Sequence, residues 1–412
     1  MKVYVEGYGC VLNQADTDII RNSIKKEGFE ITEDINEADI IIINTCVVRL
    51  ETENRMIYRI NELKKLNKFL VVAGCLPKAL KEKIGDLPYI YPREAHRAGE
   101  ILKEYLHKRK RENKEDHKTL YEKLKYISPK LITPLPICEG CLGNCSYCIV
   151  KIARGNLISY PKEKIVKKAE ELIKGGTKCL FITAQDTACY GLDIGENLAN
   201  LLNDICSIEG EFIIRVGMMH PKNLERIVDD LIEVYKNDKI GKFLHLPAQS
   251  GDDEILKLMN RGYTVDEFKS LVNEFRKKIK NLCFVTDIIV GFPGESDEHF
   301  MNTLEFLKEV KPDYIHGAKY SQRKGTLASK MKQVDTKIRK RRSEILDKLR
   351  RELSYINNKK YIGKSLRAIV VDKDKGYTEN FKTVKLKCEE VGEFKKVKIK
   401  DAKTFCLIGE IE

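Results

Sequence analysis

The chain has 412 residues, 42% hydrophobic and 33% charged, with 75 Lys and Arg against 62 Asp and Glu for a net charge of +13. That length suits two or three domains, and that composition excludes a disordered chain or a small disulfide-stapled scaffold. Aliphatic runs such as Ile40 to Ile43 are far too short to span a bilayer and no apolar leader precedes the first strand, so the expectation is a soluble cytoplasmic protein with no membrane partner.

The first hundred residues alternate strand and helix patterns. Val3 to Val5 opens a strand, and Asp16 to Lys26 has helical spacing with Ile19, Ile20 and Ile24 on one face. Ile40 to Ile43 and Leu70 to Ala73 are continuous apolar strands, with a helical Glu53 to Leu66 between them. Continuous hydrophobicity implies strands covered on both faces, so residues 1–110 read as a parallel α/β domain. Lys103 to Lys125, including Lys108-Arg109-Lys110-Arg111, is almost entirely charged and polar. It reads as a solvated helix running into a charged linker at 111–130, with Pro129, Pro134 and Pro136 stiffening the approach to the next domain.

Residues 131–353 repeat strand and helix again. Cys179 to Thr183, Phe212 to Val216, Lys242 to Leu246 and Cys283 to Val290 read as strands, and Leu198 to Cys206, Leu224 to Tyr235, Val265 to Ile279 and His299 to Val310 as helices. Repeated βα units suggest a full or partial barrel. Lys337 to Leu353 is a basic helix. Residues 354–412 change to short strands (Leu366 to Val371, Thr383 to Lys387, Val397 to Ile399, Phe405 to Ile408), which suits a small β-barrel. Its stretch from 356 to 412 holds 14 Lys and Arg against 9 Asp and Glu, net +5. A positive tail and a basic helix are a footprint of polyanion binding.

Thirteen cysteines in an intracellular chain point to metal or redox chemistry, and an odd number cannot all be paired. Cys141, Cys145 and Cys148 share one short loop ahead of the βα repeats. Three thiolates there can hold three irons of a [4Fe–4S] cube and leave the fourth open to the amino and carboxylate groups of S-adenosylmethionine. The competing readings recruit Cys138 as a fourth ligand for structural zinc or a closed cluster; the βα repeats downstream favour the open cube. Cys10, Cys46 and Cys75 each follow one N-terminal strand. In a parallel sheet those strand ends lie on one edge, so the three converge and suit a second cluster rather than three separate core thiols. The other seven (Cys138, Cys179, Cys189, Cys206, Cys283, Cys388, Cys406) read as small core residues.

Together these motifs resemble the methylthiotransferases of the radical SAM superfamily over nearly the whole chain. The resemblance rests on Gly9-Cys10-Val11-Leu12-Asn13, Asn44-Thr45-Cys46-Val47-Val48-Arg49, Gly74-Cys75-Leu76-Pro77, the three-cysteine loop with Ala153-Arg154-Gly155, and Gln185-Asp186 with Tyr190-Gly191. Further on it rests on His245 to Gly251, Met259-Asn260-Arg261 and Thr286 to Glu295, and the tail resembles a TRAM RNA-binding barrel. The resemblance implies that Cys141, Cys145 and Cys148 bind the radical SAM cluster, and that Cys10, Cys46 and Cys75 bind an auxiliary [4Fe–4S] cluster carrying the sulfur to be inserted. One S-adenosylmethionine would methylate that sulfur and a second would supply the radical, replacing C–H by C–S–CH3 at carbon 2 of an adenine. A sulfur donor and an electron-donor protein are implied partners.

For the S-adenosylmethionine pocket the barrel strand ends suggest Gln249 and Ser250 for ribose or carboxylate, Arg261 for the methionine carboxylate, and Ile289 with Phe292 flanking the adenine, joined by Gln185. The Gly-Gly-Glu that binds the methionine amine in many radical SAM proteins is replaced by Gly175-Gly176-Thr177. Among the family branches, the details around Cys75, Cys141 to Cys145 and Ala153 to Tyr160 look most like enzymes acting on N6-threonylcarbamoyladenosine at position 37 of the tRNA anticodon loop. The alternatives are isopentenyl-type adenosine 37, a ribosomal-protein aspartate, and a non-catalytic Fe–S RNA-binding protein.

Overall fold

The computed structural model describes residues 1–108 and 117–412, so Arg109 to Arg111 of the basic run and the start of the expected linker lie outside the described residues. The N-terminal sheet has five parallel strands, β1 (Lys2–Gly7), β2 (Glu30–Thr32), β3 (Ile40–Thr45), β4 (Phe69–Gly74) and β5 (Tyr89–Ile90), in the order β2-β1-β3-β4-β5. Every residue of β3 is buried, as its unbroken isoleucine run requires. Helix Val11–Lys26 covers one face with Ile19, Ile20 and Ile24. Helix Leu50–Lys64 covers the other with Met56, Ile60 and Leu63. This is a doubly wound order whose direction of winding reverses between β1 and β3, and ligands of such sheets sit beyond the strand carboxyl ends at that point.

The charged stretch departs from the solvated helix expected of it. An α-helix ends at Leu106, and 117–126 form 3-10 turns in which Leu120, Lys123 and Leu124 are buried against the first helix. Lys123 is there for a structural reason, given below.

Six parallel strands build the central partial barrel: β6 (Ile132–Pro136), β7 (Cys179–Thr183), β8 (Ile213–Val216), β9 (Phe243–His245), β10 (Cys283–Val290) and β11 (Tyr314–Lys319). They form two three-stranded sheets joined by a bridge between Ile214 and Ile240. Two of the six were not expected. In β6 the residues at 134 and 136 are prolines, tolerated because this strand lies at the sheet edge. In β11 His316 and Gly317 interrupt the apolar pattern. A ribbon pairing Cys138–Glu139 with Ile158–Ser159 closes the base of the cysteine loop.

Helix Thr336–Lys359 packs on β11 and leads to a closed barrel of β12 (Ser365–Asp372), β13 (Lys375–Thr378), β14 (Thr383–Lys385), β15 (Phe394–Ala402) and β16 (Leu407–Ile411). This barrel plugs the lower mouth of the central one. Phe381, between β13 and β14, stacks edge-on against Phe181 and Phe243 with ring centroids 5.7 and 6.2 Å away. Beside it the buried Lys382 ammonium reaches Asp313 Oδ1 at 2.7 Å and Asn358 Oδ1 at 2.9 Å. The basic helix is only partly a free cationic face: Arg342 is buried on Glu295 and Asp297, and Arg339 donates to the Tyr320 carbonyl.

Candidate active site

Cys10, Cys46 and Cys75 follow β1, β3 and β4, three adjacent strands, at the winding reversal. Their thiols interact electrostatically with one another, as convergence requires. Gly9 makes the approach possible: at φ +111°, an added Cβ would lie 2.6 Å from Cys46 Cβ and 2.9 Å from its sulfur. Cys46 and Cys75 are buried, and Cys10 is solvent-accessible at the lip of the same concave wall. Burial pushes the Cys75 thiol up to about 12, while the Arg154 guanidinium pulls it back towards thiolate.

The second set sits on the loop above the ribbon. Cys145 accepts a hydrogen bond from Arg261 Nη1 at 3.2 Å, and Cys141 accepts one from the Gly143 amide at 3.2 Å. Gly143 lies beside both sulfurs, and a Cβ there would make ordinary van der Waals contact at 3.4 and 3.8 Å. Burial raises Cys141 to about 12 and raises Cys148, so metal binding would release protons. The loop is anchored through Ser146, whose amide donates to the Met259 carbonyl at 3.0 Å, and through Asn260, which donates to the Asn144 carbonyl at 2.9 Å. Cys138 is held away from the loop: it is fully buried in the ribbon, paired with Ser159 and close to Cys189. The donor set on the loop is therefore three thiols, which fits a cube with one open iron better than four-coordinate zinc.

A buried ionic cluster ties the two sets together. Arg154 lies 2.7 Å from Asp16, 3.1 Å from Glu139 and 3.0 Å from Asn13 Oδ1, while Lys123 reaches Asp16 at 2.8 Å and also Glu139. Burial opposes the Glu139 charge, but Lys123 and Arg154 hold its carboxyl down at about 2. Asp16 and Asn13 belong to the helix that Cys10 caps, and Glu139 sits two residues before Cys141. A second tie is the Cys46 loop: Arg323 donates to the Val47 carbonyl and pairs with Glu53 at 2.6 Å. That loop brings the Arg49 charge to Asp287 and His316 in the barrel lumen.

The residues expected to bind S-adenosylmethionine divide on inspection. Gln249 adopts φ +74° and its backbone bridges to β10 through Asp287 and Ile289. Gln185 carries a buried Oε1 without a hydrogen-bond partner among the described residues. The Gln185 oxygen is the one of the two that suits a polar ligand. Ser250 is buried between Thr303 and the Asp252 amide. Arg261 is buried with Nε on Tyr263, Nη1 on Cys145 and Nη2 on the Pro247 carbonyl, so it braces the cysteine loop. Ile289 is half-buried, whereas Phe292 has no exposed face and packs between Tyr147 and Tyr320.

Sequence reasoning did not assemble His245, Asp287 and His316, whose ligand atoms all lie within 4.8 Å of one another on β9, β10 and β11. His245 Nε2 is 3.1 Å from Asp287 Oδ1. The His316 imidazole, solvent-exposed at the edge of this group, is depressed by partial desolvation first and then by neighbouring positive groups, Arg49 and Arg215 among them. Period-2 spacing along three adjacent barrel strands is the signal that would have grouped them.

The Radical SAM superfamily matches residues 135–307, and the uncharacterized protein family UPF0004 matches residues 2–90. A probable threonylcarbamoyladenosine tRNA methylthiotransferase of Methanocaldococcus jannaschii is 74% identical, covering 100% of this chain and 97% of its own. One of the same description from Pyrococcus abyssi is 42% identical over 100% and 99%. A tRNA-2-methylthio-N(6)-dimethylallyladenosine synthase of Fusobacterium nucleatum is 33% identical over 100% and 99%. Among solved structures, the radical S-adenosylmethionine methyltransferase TsrM of Kitasatospora setae shares the fold at 15% identity, with a TM-score of 0.58 over 80% of this chain and 73% of that one.

Proposed function

The chain belongs to the radical SAM methylthiotransferase family, and on that premise we propose that it methylthiolates carbon 2 of N6-threonylcarbamoyladenosine at position 37 of tRNA using two [4Fe–4S] clusters. The observation that carries this reading is the pair of three-cysteine sets joined through one buried guanidinium, Arg154. Cys141, Cys145 and Cys148 would hold the radical SAM cluster, and Cys10, Cys46 and Cys75 the auxiliary one. When bound, the first supplies an electron for reductive cleavage of S-adenosylmethionine and the second supplies sulfur.

This chain's own groups do the rest. Arg154 places positive charge beside the Cys75 and Cys10 thiols, and Arg261 donates to the Cys145 sulfur. Gln185 and Gln249 offer polar groups at the upper end of the barrel for the cofactor. The Cys46 loop brings the sulfur site against the lumen where a base would sit. The 74% identity to the M. jannaschii protein supports the threonylcarbamoyl substrate over the dimethylallyl one, found in the name of a relative at 33%. A tRNA substrate also supports a cytoplasmic site of action, with an electron-donor protein and a sulfur donor as further partners.

The test is two triple variants of anaerobically reconstituted protein, checked for folding by circular dichroism. Replacing Cys141, Cys145 and Cys148 by Ala should abolish 5′-deoxyadenosine and methylthio-nucleoside together. Replacing Cys10, Cys46 and Cys75 should leave some 5′-deoxyadenosine and no methylthio-nucleoside. Methylthio-nucleoside from the second variant would overturn the division of roles.

A further inference from the structure

One cation in the barrel lumen has no counter-ion. Arg215, the third residue of β8, is half-buried, and among the described residues it makes no ion pair or hydrogen bond. Its guanidinium stacks over Phe243 at 4.2 Å and Phe181 at 5.2 Å from the ring centroids. Burial lowers its pKa, and the charges that oppose this come from Cys283, Tyr377 and Tyr235 rather than from a carboxylate. The guanidinium nevertheless stays protonated at any physiological pH. Asp287, an acid of the lumen, is already paired with His245.

A half-buried guanidinium without an anion has lost part of its hydration, and aromatic stacking offsets only part of that cost. Here it also faces space. Arg215, Phe181, Phe243, His316, Tyr377 and Phe381 line a cavity of about 300 Å³ between the lumen and the C-terminal barrel. A larger cavity of about 520 Å³ shares Phe181 and Tyr377 with it and runs between the first N-terminal helix and the edge strand β6. The smaller cavity is the size of a side-chain-sized ligand rather than of a nucleic-acid strand. Two residues of strand, about 7 Å, separate the Asp287 level of β10 from Ile289 at the cofactor end.

We propose that the Arg215 cavity is a carboxylate-binding subsite that receives the threonyl carboxylate carried by the substrate adenine, with Phe181 and Phe243 as its walls. The proposal rests on the threonylcarbamoyladenosine reading and adds the residue that selects for it. Arg215 meets the carboxylate with charge-assisted hydrogen bonds, and the rings fix the guanidinium plane and exclude water. A dimethylallyl group has no anion to offer, so the same cation would be covered by it and left unpaired.

The experiment measures binding of the cluster-loaded protein to three anticodon stem-loop probes that differ only at position 37: threonylcarbamoyladenosine, its methyl ester, and adenosine. The parent should bind the acid roughly 10- to 100-fold more tightly than the ester, the range for a hydrogen-bonded charge. In Arg215→Gln that ratio should fall to within about threefold, and Arg215→Lys, which keeps the charge without the fork, should retain part of it. Thermal unfolding of both variants guards against a folding defect, and the Lys variant keeps the proposal testable if the Gln variant is unstable. An undiminished acid-to-ester ratio in Arg215→Gln overturns the subsite. So does an equal loss for the adenosine probe, which would mean a phosphate contact, or weakened S-adenosylmethionine binding without RNA, which would assign Arg215 to the cofactor's carboxylate. A parent that binds all three probes alike refutes the substrate reading itself, and the subsite with it.

Discussion

Replacing Lys123 by Met tests whether the buried ionic cluster holds the two cysteine-bearing domains together. Asp16, Glu139, Lys123 and Arg154 are two carboxylates and two cations, neutral as a set, with side chains at most 2% exposed. The substitution leaves two carboxylates sharing one guanidinium in a site that water does not reach. Breaking a buried pair from one side costs about 3–5 kcal/mol. At a few degrees per kcal/mol the unfolding temperature should fall by roughly 5–15 °C. Adding Glu139→Gln restores neutrality, so the double variant should recover at least half of the loss. The exposed pair Lys125–Glu122, with 63% of the lysine side chain accessible, is the control: Lys125→Ala should cost about 0.5 kcal/mol or less. Calorimetry of the cluster-free and cluster-loaded protein reads all three. A Lys123→Met protein within 2 °C or so of the parent, or a double variant no better than the single, would refute the coupling.

Reconstituted protein should carry about eight irons per chain and little tightly bound zinc, since each three-cysteine set suits one four-iron cube; elemental analysis giving about four irons would remove one cluster. Gly9→Ala drives a Cβ to 2.6 Å from Cys46 Cβ at a φ of +111°, so it should halve the iron while leaving 5′-deoxyadenosine formation measurable; full iron loading would show that the close approach is dispensable. Lys385 and Lys387 are exposed on the C-terminal barrel, and changing both to Gln should weaken tRNA binding and flatten its dependence on log salt by roughly one unit for each phosphate no longer neutralised; an unchanged slope would place the RNA elsewhere.

The two cysteine groupings proposed as ligand sets were legible because each depends on local pattern: a short loop for Cys141, Cys145 and Cys148, and strand ends for Cys10, Cys46 and Cys75. What joins them was not. Lys123 and Asp16 are 107 positions apart, and Lys123 sits in a run whose composition points to solvent. A lysine reads as exposed until two carboxylates from other elements are seen to enclose it. The prolines at 134 and 136 mislead in the same way, since only the completed sheet reveals that their strand is an edge. Arg215 gave no signal at all: one cation in a strand of the sequence Ile213-Ile214-Arg215-Val216 becomes unusual only when the lumen around it proves to hold no acid for it.

The same element serves both halves of the site. Cys46 and Arg49 are three residues apart on one loop, and Arg323 clamps that loop by its Val47 carbonyl and its Glu53 carboxylate. The first end offers a thiol to the N-terminal set, and the second offers a cation to the barrel lumen. A reaction that joins a sulfur held in one domain to a carbon held in another depends on placement, where an error near 1 Å can cost about a hundredfold in rate. One apolar core runs from the N-terminal sheet into the barrel, and the buried charges add directional constraints to it. Buried charges are a poor means of gaining stability, but they penalise every arrangement that separates them. Lys123, Arg154 and Arg323 each bond across the division between the N-terminal sheet and the barrel, so relative motion of the two cysteine sets would have to strip partners from buried cations. Their physical role is to fix a distance rather than to raise a melting temperature.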